Sequence, residues 1–263
     1  MLCAIQEQSN EKVIARAVAK SDGPFLCPIC RKQLTLRKGQ IKAHHFAHKP
    51  PVTCLYGLGE SEAHRWAKWS LYDALSQHPD VTECELEKNF GNVVSDVYAV
   101  IRGTPVALEI QISNLALDEI VYRTEAYCSM NIPVLWLPLF SDKLEKKKYS
   151  PKVWEKWLHT AGYGRIYYWL ANLTIIPIHF DEYELDVEGS EWYDEYGDYQ
   201  YTSSYTKRSK RWRTPLKGKQ INIVHDLIIQ RRKPRTIGKM HIPKSMLLVD
   251  QQTRWWRKTR IIF

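Results

Sequence analysis

Residues 93–113 read VVSDVYAVIRGTPVALEIQIS, and this stretch decides the fold. Two apolar runs flank the turn at 103–104, which is short enough for a β-hairpin. The second run carries Glu109 and Gln111, two residues apart, so both side chains lie on one face of a strand. A carboxylate on a buried strand is unfavourable unless it has a partner such as a metal ion. The stretch therefore predicts paired strands that present acidic groups for metal-dependent chemistry.

The sequence on either side of this hairpin predicts a mixed α/β core. The expected order is helix, three strands, helix and strand, at about 61–78, 81–90, 93–102, 105–113, 117–130 and 132–137. Ser61 is a favourable N-cap for the first helix. The last strand should return parallel beside the Glu109 strand through a right-handed crossover. A short helix at 151–159 and strands at 166–170 and 173–180 extend this core.

Composition points to a reduced compartment and a polyanionic partner. The chain has 263 residues, a formal net charge of +9 and a pI of about 9.1, which suits DNA better than a membrane surface. No apolar run approaches the ~18 residues of a membrane span, and the start of the chain does not resemble a signal peptide. Its six cysteines are expected to be reduced, and the expected location is the cytoplasm.

A Cys-x2-Cys pair followed by histidines predicts a structural zinc site. Cys27 and Cys30 form a knuckle that brings two thiolates onto one ion, and histidines follow about fourteen residues later. His45 and His48 are the first choice, His44 with His48 is an alternative, and Cys54 is a possible substitute. Four protein ligands leave no open position, so this site is structural rather than catalytic.

The acidic residues around the hairpin predict a second, catalytic metal site. Asp96 and Glu109 lie on neighbouring strands and can hold one Mg²⁺ or Mn²⁺ ion if they point to the same face. Glu60 or Glu62 adds an acid at the head of the first helix. Phosphodiester hydrolysis also needs a group that protonates or stabilises the leaving oxygen, a role open to His64 or Lys68. Taken singly, Asp96 and Glu109 read equally well as surface residues of edge strands.

The C-terminal third carries separated blocks of charge. Residues 181–198 hold nine acidic side chains and no basic one, whereas residues 207–219 hold seven basic and no acidic ones. The basic block and the end at 255–258 interleave aromatic and cationic groups, which permits stacking on bases. The candidate DNA contacts in this block are Lys207, Arg208, Lys210 and Arg211.

The order of these motifs resembles the CoiA family of competence-associated proteins. The resemblance covers about residues 25–140, and more weakly extends to about 180; the chain departs from the pattern after Asp181. It implies a nuclease core of the PD-(D/E)XK, restriction-endonuclease-like superfamily, preceded by a small zinc-binding segment. It also implies a role in DNA processing, recombination, competence or phage defence, with protein partners from such a system.

The resemblance also assigns roles to particular residues. Asp96, Glu109 and the backbone carbonyl of Ile110 become the metal ligands, and Glu60 or Glu62 becomes the acid on the helix. Gln111 stands where the family pattern usually has lysine, and Lys68 on the facing helix is a substitute cation. Two further residues are candidates for phosphate contact or for bracing the site, namely Arg123 and Tyr127.

These observations predict a zinc-binding segment at 1–55, a nuclease-like core at 56–180 and a charged, aromatic C-terminal region at 181–263. The predicted function is that of a Mg²⁺-dependent deoxyribonuclease, an endonuclease rather than an exonuclease. The alternative is a catalytically inactive DNA-binding accessory protein with a decayed nuclease core. A protein–protein adaptor built on the zinc segment is a third reading.

Overall fold

The computed structural model describes residues 1–54, 56–112 and 116–257. It begins with a small antiparallel sheet in the order β2-β1-β3-β4-β5, which we call the N-terminal module. Its strands are β1 Cys3–Gln6, β2 Lys12–Ile14, β3 Phe25–Leu26, β4 Gln33–Arg37 and β5 His45–His48. Phe25 and Phe46 lie in its core, with their ring centroids 5.1 Å apart.

The central part of the chain folds in the predicted order. Its elements are α1 Glu62–Ser76, β6 Val81–Asn89, β7 Val94–Ile101, β8 Thr104–Gln111, α2 Leu117–Ser129 and β9 Val134–Pro138. Strands β6, β7 and β8 are antiparallel neighbours, and β9 returns parallel to β8, with Glu109 opposite Trp136. The mixed α/β prediction is thus confirmed, although Ser113, the predicted end of the third strand, lies outside the described residues.

The remaining elements follow in chain order. They are α3 Val153–Ala161, β10 Ile166–Ala171, β11 Thr174–Val187, β12 Ser190–Tyr193, β13 Tyr199–Thr202, β14 Tyr205–Lys217, β15 Ile221–Asn222, β16 Leu227–Arg232, β17 Arg235–Ile237, β18 Met240–Ile242 and β19 Ser245–Asp250. Short 3-10 turns occur at Lys20–Asp22 and Asp142–Glu145. Among the described residues, no helix has the length and apolar character needed to span a bilayer.

The C-terminal region contributes strands to the central sheet, which the charge pattern did not predict. The sheet has the order β16-β19-β9-β8-β7-β6, because β19 pairs parallel with β9 and β16 pairs antiparallel with β19. Strands β10 and β11 do not extend this sheet; they pair with β14 and β15 in a second one. In that sheet the first part of the acidic block, residues 181–187 of β11, lies beside the basic β14, with Glu182 opposite Arg213 and Glu184 opposite Arg208.

Helices cover both faces of the central sheet and so fix which way its side chains point. Leu71 and Leu75 of α1 pack in one core with Leu108 of β8, whereas Ile120 and Tyr127 of α2 pack in another. Alternation along β8 therefore directs Leu108 and Ile110 toward α1, and Ala107 and Glu109 toward α2. Gln111 follows Glu109 on the α2 face, as predicted from the two-residue spacing.

Candidate active site

A cleft of about 560 Å³ lies where β7 and β8 diverge, between α1 and α2. The N-terminal module and its connection to α1 form one wall, through Ile29 and residues 56–59. The charged residues that line the cleft are Glu60, His64, Lys68, Glu87, Asp96, Glu109, Glu119 and Arg123, and Gln111 is among its uncharged polar residues. The cleft thus brings together the residues of α1, β7 and β8 that the sequence analysis selected.

Asp96 is held by groups from α1 and from the neighbouring strand. Its Oδ2 atom lies 3.0 Å from His64 Nε2 and accepts a 2.9 Å hydrogen bond from the backbone N–H of Ile110. Lys68 Nζ lies 3.6 Å from its Oδ1 atom. Burial opposes ionisation, but the charges of His64 and Lys68 outweigh it and hold the pKa of Asp96 below its usual range. Asp96 is therefore a carboxylate at neutral pH, with 16% of its side chain exposed toward the cleft.

Glu109 is held from the opposite side, by α2. One of its oxygens accepts hydrogen bonds from both the Arg123 guanidinium and the Tyr127 hydroxyl. Burial raises the pKa of Glu109, and Arg123 acts against that rise. Arg123 also donates to the backbone carbonyl of Val94 at 2.8 Å, which fixes the start of β7. Tyr127 is fully buried, so of its two predicted roles the geometry fits bracing the site.

Lys68 is a buried cation shared among three carboxylates. Its Nζ atom forms a close ion pair with Glu60 and lies 2.6 Å from Glu87 Oε1, in addition to its approach to Asp96. Burial disfavours its charge, but these carboxylates raise the pKa of Lys68 well above its usual value. Lys68 therefore keeps its proton and acts through its charge, rather than as a base.

The structure distinguishes the two glutamates at the head of α1. Glu60 faces the cleft, where it contacts Lys68 and lies 3.6 Å from His64 Nδ1. Glu62 turns away: it accepts from the backbone N–H of Ala43 and from Arg65 at 2.9 Å. Ser61 caps the helix by accepting from the backbone N–H of His64 at 3.2 Å, as its sequence position predicted. Of the two, Glu60, which precedes the N-cap, is therefore the glutamate that faces the cleft.

The neighbouring carboxylates of His64 favour the protonated form of its ring. Burial disfavours the protonated ring, but the Asp96 carboxylate outweighs this and raises the pKa of His64. The ring lies between Asp96 and Glu60, so it can carry a proton at the edge of the cleft. Gln111 is buried and lines the same cleft, on the face that carries Glu109.

The donor types in the cleft fit a magnesium ion. Mg²⁺ binds through one or two carboxylates and keeps several waters. Asp96 and Glu109 line one cavity that is large enough for such an ion together with its waters. The two carboxylates are also balanced by Lys68, His64 and Arg123, so they do not depend on a metal ion for compensation. In the described part of the chain, no three carboxylates place ligand oxygens within 4.8 Å of one another.

The N-terminal module contains a compact group of sulfur and nitrogen donors. Cys27, Cys30, His48 and Cys54 each offer one ligand atom, and these atoms lie within 4.8 Å of one another. Cys30 Sγ and His48 Nε2 are 3.3 Å apart. Burial raises the pKa of the Cys27 thiol to about 11; at Cys30, hydrogen bonds from Lys32 and from neighbouring thiols overcome burial and lower the pKa. This Cys3His group could hold a metal ion such as zinc.

The fourth member of this group differs from the first choice made from the sequence. His45 and His48 are three residues apart on β5, so their side chains point to opposite faces of the strand. His45 is buried, with its Nδ1 atom 2.8 Å from the carbonyl oxygen of Ala43. Cys54, which the sequence allowed as a substitute, takes the fourth position instead.

Glu87 is the residue of the cleft that sequence reasoning missed. Its side chain is 3% exposed and contacts Lys68, yet it lies in the charged run ECELEKN of β6, which reads as an exposed edge strand. Its backbone has a φ of 49°, so it interrupts the alternation that pattern reading assumes, and Leu86 and Glu87 are both buried. Glu87 differs from the other charged residues of β6 only in being buried next to a buried neighbour, and burial cannot be seen in a sequence.

The predicted C-terminal DNA contacts lie apart from this cleft. Lys207, Arg208, Lys210 and Arg211 are exposed residues of β14, and none of them lines the cavity. Arg208 forms an ion pair of 2.8 Å with Glu182 of β11, and Arg211 packs over the Trp212 ring at 4.6 Å. The basic residues of β14 thus remain a separate surface.

The fold and the cleft together define an α/β protein with an acidic, cation-balanced cavity between two helices and a cysteine-rich module beside it. Comparison with known families agrees with this description. The Competence protein CoiA N-terminal domain matches residues 5–57, and the Competence protein CoiA nuclease-like domain matches residues 60–168. The chain belongs to the CoiA-like family.

A curated relative supports the same assignment. Competence protein CoiA of Bacillus subtilis (strain 168) is 31% identical over 135 residues. The aligned segment covers 51% of this chain and 34% of the relative, so the chain spans about a third of that protein's length. No solved structure matches the chain.

Proposed function

We propose that this chain is a Mg²⁺- or Mn²⁺-dependent DNA endonuclease, with a PD-(D/E)XK, restriction-endonuclease-like core. The observation that carries the proposal is the convergence of Asp96, Glu109 and Lys68 in one cleft of a nuclease-like domain. The order of α1, three antiparallel strands, α2 and a parallel β9 is the arrangement expected of that core. The net charge of +9 favours a polyanionic substrate.

The residues of the cleft divide the work of phosphodiester hydrolysis. A bound divalent ion supplies polarisation of the phosphoryl oxygen and activation of water. Asp96, Glu109 and the carbonyl of Ile110 would hold that ion, and Glu60 orients Lys68. The fixed charge of Lys68 near Asp96 replaces the lysine that the family pattern would place at Gln111. His64, whose ring can carry a proton beside Asp96, is the candidate donor to the leaving oxygen.

Cleavage of DNA substrates with and without Mg²⁺ tests this proposal. Single-stranded, double-stranded and branched DNA should be compared, because the substrate form sets which part of the surface is used. We expect one form to be cut only with Mg²⁺ or Mn²⁺, and both Asp96→Ala and Glu109→Ala to abolish cutting while circular dichroism shows an intact fold. Cleavage by both variants at the wild-type rate would refute the assignment.

A second candidate function is that of a DNA-binding accessory protein without catalysis. The observation that favours it is the close pairing of Glu109 with Arg123 and Tyr127, because these groups neutralise a carboxylate that a metal would need. Such a protein would bind DNA with an affinity that is independent of Asp96 and Glu109. In either case we propose a cytoplasmic role in recombination, competence or defence, with zinc at the Cys3His group and DNA contacts on β14.

A further inference from the structure

Glu87 joins three separate segments of the chain at the back of the cleft. Its Oε1 atom lies 2.6 Å from Lys68 Nζ and accepts from the backbone N–H of Leu2 at 2.8 Å. Its Oε2 atom accepts from the backbone N–H of Cys3 at 3.0 Å and from the Tyr56 hydroxyl at 3.0 Å. One carboxylate therefore ties α1 to β1 of the N-terminal module and to the chain just before α1.

The backbone of Glu87 is specialised for this position. Its φ of 49° is a left-handed conformation that L-residues with large side chains rarely adopt. Such conformations persist where the surrounding structure fixes them, and they concentrate at functional sites. In the ladder of β6 and β7, Leu86 pairs with Val97 and Lys88 with Ser95, so Glu87 lies across from Asp96.

The position of the Lys68 ammonium depends on this carboxylate. Glu60 and Glu87 make the close contacts to Nζ, whereas Asp96 Oδ1 lies farther away at 3.6 Å. A buried ammonium must be compensated by nearby charge, and of the three carboxylates around it Glu60 and Glu87 lie closest. Without the charge of Glu87, the ammonium would be drawn toward Asp96, and Asp96 would become less available to a divalent cation.

We propose that Glu87 is a positioning residue that couples the N-terminal module to the cleft, because the module fixes Glu87 and Glu87 holds Lys68 away from full pairing with Asp96. The effect of Glu87 on catalysis rests on the function proposed above. Its effect on the position of Lys68 does not depend on that function. The N-terminal module then helps to form the cleft and is not only a separate metal-binding segment. Ile29 of the module and residues 56–59, which follow it, line one wall of the cleft, in agreement with that arrangement.

The test uses Glu87→Gln in the full chain, with Glu83→Gln as the matched control. Glu83 lies on the same strand and pairs with Lys88 at 2.6 Å, but its side chain is 48% exposed and does not line the cleft. The first readout is the ¹⁵N resonance of the Lys68 ammonium in protein without added Mg²⁺, assigned by its loss in Lys68→Met. We expect that resonance to shift or disappear in Glu87→Gln and to remain in Glu83→Gln.

The second readout is DNA cleavage with Mg²⁺. We expect Glu87→Gln to lower kcat by about tenfold or more, while KM for DNA stays within about twofold, because the DNA surface is untouched. If the wild-type protein cuts no DNA, the proposed nuclease function fails, and the Lys68 resonance alone decides the placement. An unchanged resonance in Glu87→Gln, or an unchanged kcat in an active enzyme, would overturn the inference.

A milder variant covers the case in which Glu87→Gln does not fold. Tyr56→Phe removes one hydrogen bond to Glu87 and leaves every charge in place. We expect a smaller shift of the Lys68 resonance and a smaller fall in kcat, in the same directions. The absence of both effects in a folded Tyr56→Phe protein would contradict the coupling of the module to the cleft.

Discussion

The cleft and the Cys3His group are both candidate metal sites, but they are compensated in different ways. In the cleft, Lys68 or Arg123 pairs with each of four buried or half-buried carboxylates, Glu60, Glu87, Asp96 and Glu109. In the N-terminal module, three thiols and an imidazole face one another within 4.8 Å. We therefore expect the cleft to keep its shape without a divalent ion and the module to depend on an ion that holds its donors together. We likewise expect a metal in the module to serve folding and, under the function proposed above, a metal in the cleft to serve chemistry.

The largest expected difference between the two regions is their response to the removal of zinc. Structural zinc in small domains contributes an apparent ~10–16 kcal/mol of binding free energy, and the strands of the module are short. We expect a strong chelator, or Cys30→Ser, to unfold the module and lower the Tm. Metal analysis and thermal denaturation measure this, with Cys128→Ser on α2 as the control, because that thiol lies outside the group. Full thermal stability in chelator would show that the module does not depend on a metal.

Removal of a protein cation should damage the cleft instead. Arg123→Met leaves the buried Glu109 carboxylate without its main counter-charge, and loss of one partner of a buried ion pair costs about 3–5 kcal/mol. We expect the free energy of unfolding in urea to fall by that amount, whereas Arg37→Met at an exposed position of β4 should change it little. If Arg123→Met were as stable as the wild type, the cleft would not be compensated as described.

Acid should disrupt the two regions at different pH. Although burial acts against it, the charge of Lys68 lowers the pKa of Glu87 to about 2, from an ordinary value of 4.5. The stabilisation from Glu87 is therefore complete above pH 4.5 and is lost as the pH falls toward 2. We expect zinc bound to the Cys3His group to leave at higher pH, because protons compete for thiolate ligands. We expect zinc release, followed with a metal indicator, to precede the loss of near-ultraviolet circular dichroism; the reverse order would contradict the comparison.

The smallest expected effect concerns the N-cap of α1, the helix that presents His64 and Lys68 to the cleft. Ser61→Ala removes the 3.2 Å hydrogen bond to the backbone N–H of His64 and should cost about 1 kcal/mol in urea denaturation. Zinc content should stay at the wild-type level, because Ser61 does not contact the Cys3His group. A loss of zinc in this variant would show that metal binding by the Cys3His group depends on the N-cap of α1, which would contradict this expectation.

The order of elements in the core could be predicted from the sequence because its signals are local. Alternating apolar runs, the turn at 103–104 and the cap at Ser61 predict β6 to β8 and α1, and the structure confirms them. The strands β16 and β19 could not be predicted in the same sheet. Strand β19 pairs with β9 across more than a hundred residues of sequence, and no local pattern encodes such a partner; β16 joins the sheet only through β19.

The sequence predicted most residues of the candidate site. It predicted less well which of them face the cleft and which groups they contact. Glu60 and Glu62 flank the N-cap of α1, so only the path of the chain before the helix decides which one faces the cleft. The choice between His45 and Cys54 depended on whether 45–48 forms a strand, because a three-residue spacing on a strand separates the two histidines. Glu87 was missed because its left-handed backbone places a charged side chain in the core.

Binding of Mn²⁺ to the zinc-loaded protein tests the central claim most directly. Calorimetric titration should show one divalent site in the wild type, which is lost in both Asp96→Asn and Glu109→Gln and kept in Glu83→Gln. That result would show that the two carboxylates share an ion in spite of their protein cations. Absence of Mn²⁺ binding in the wild type, or equal binding in all four proteins, would contradict the account and leave the cleft as a structural cluster of charges.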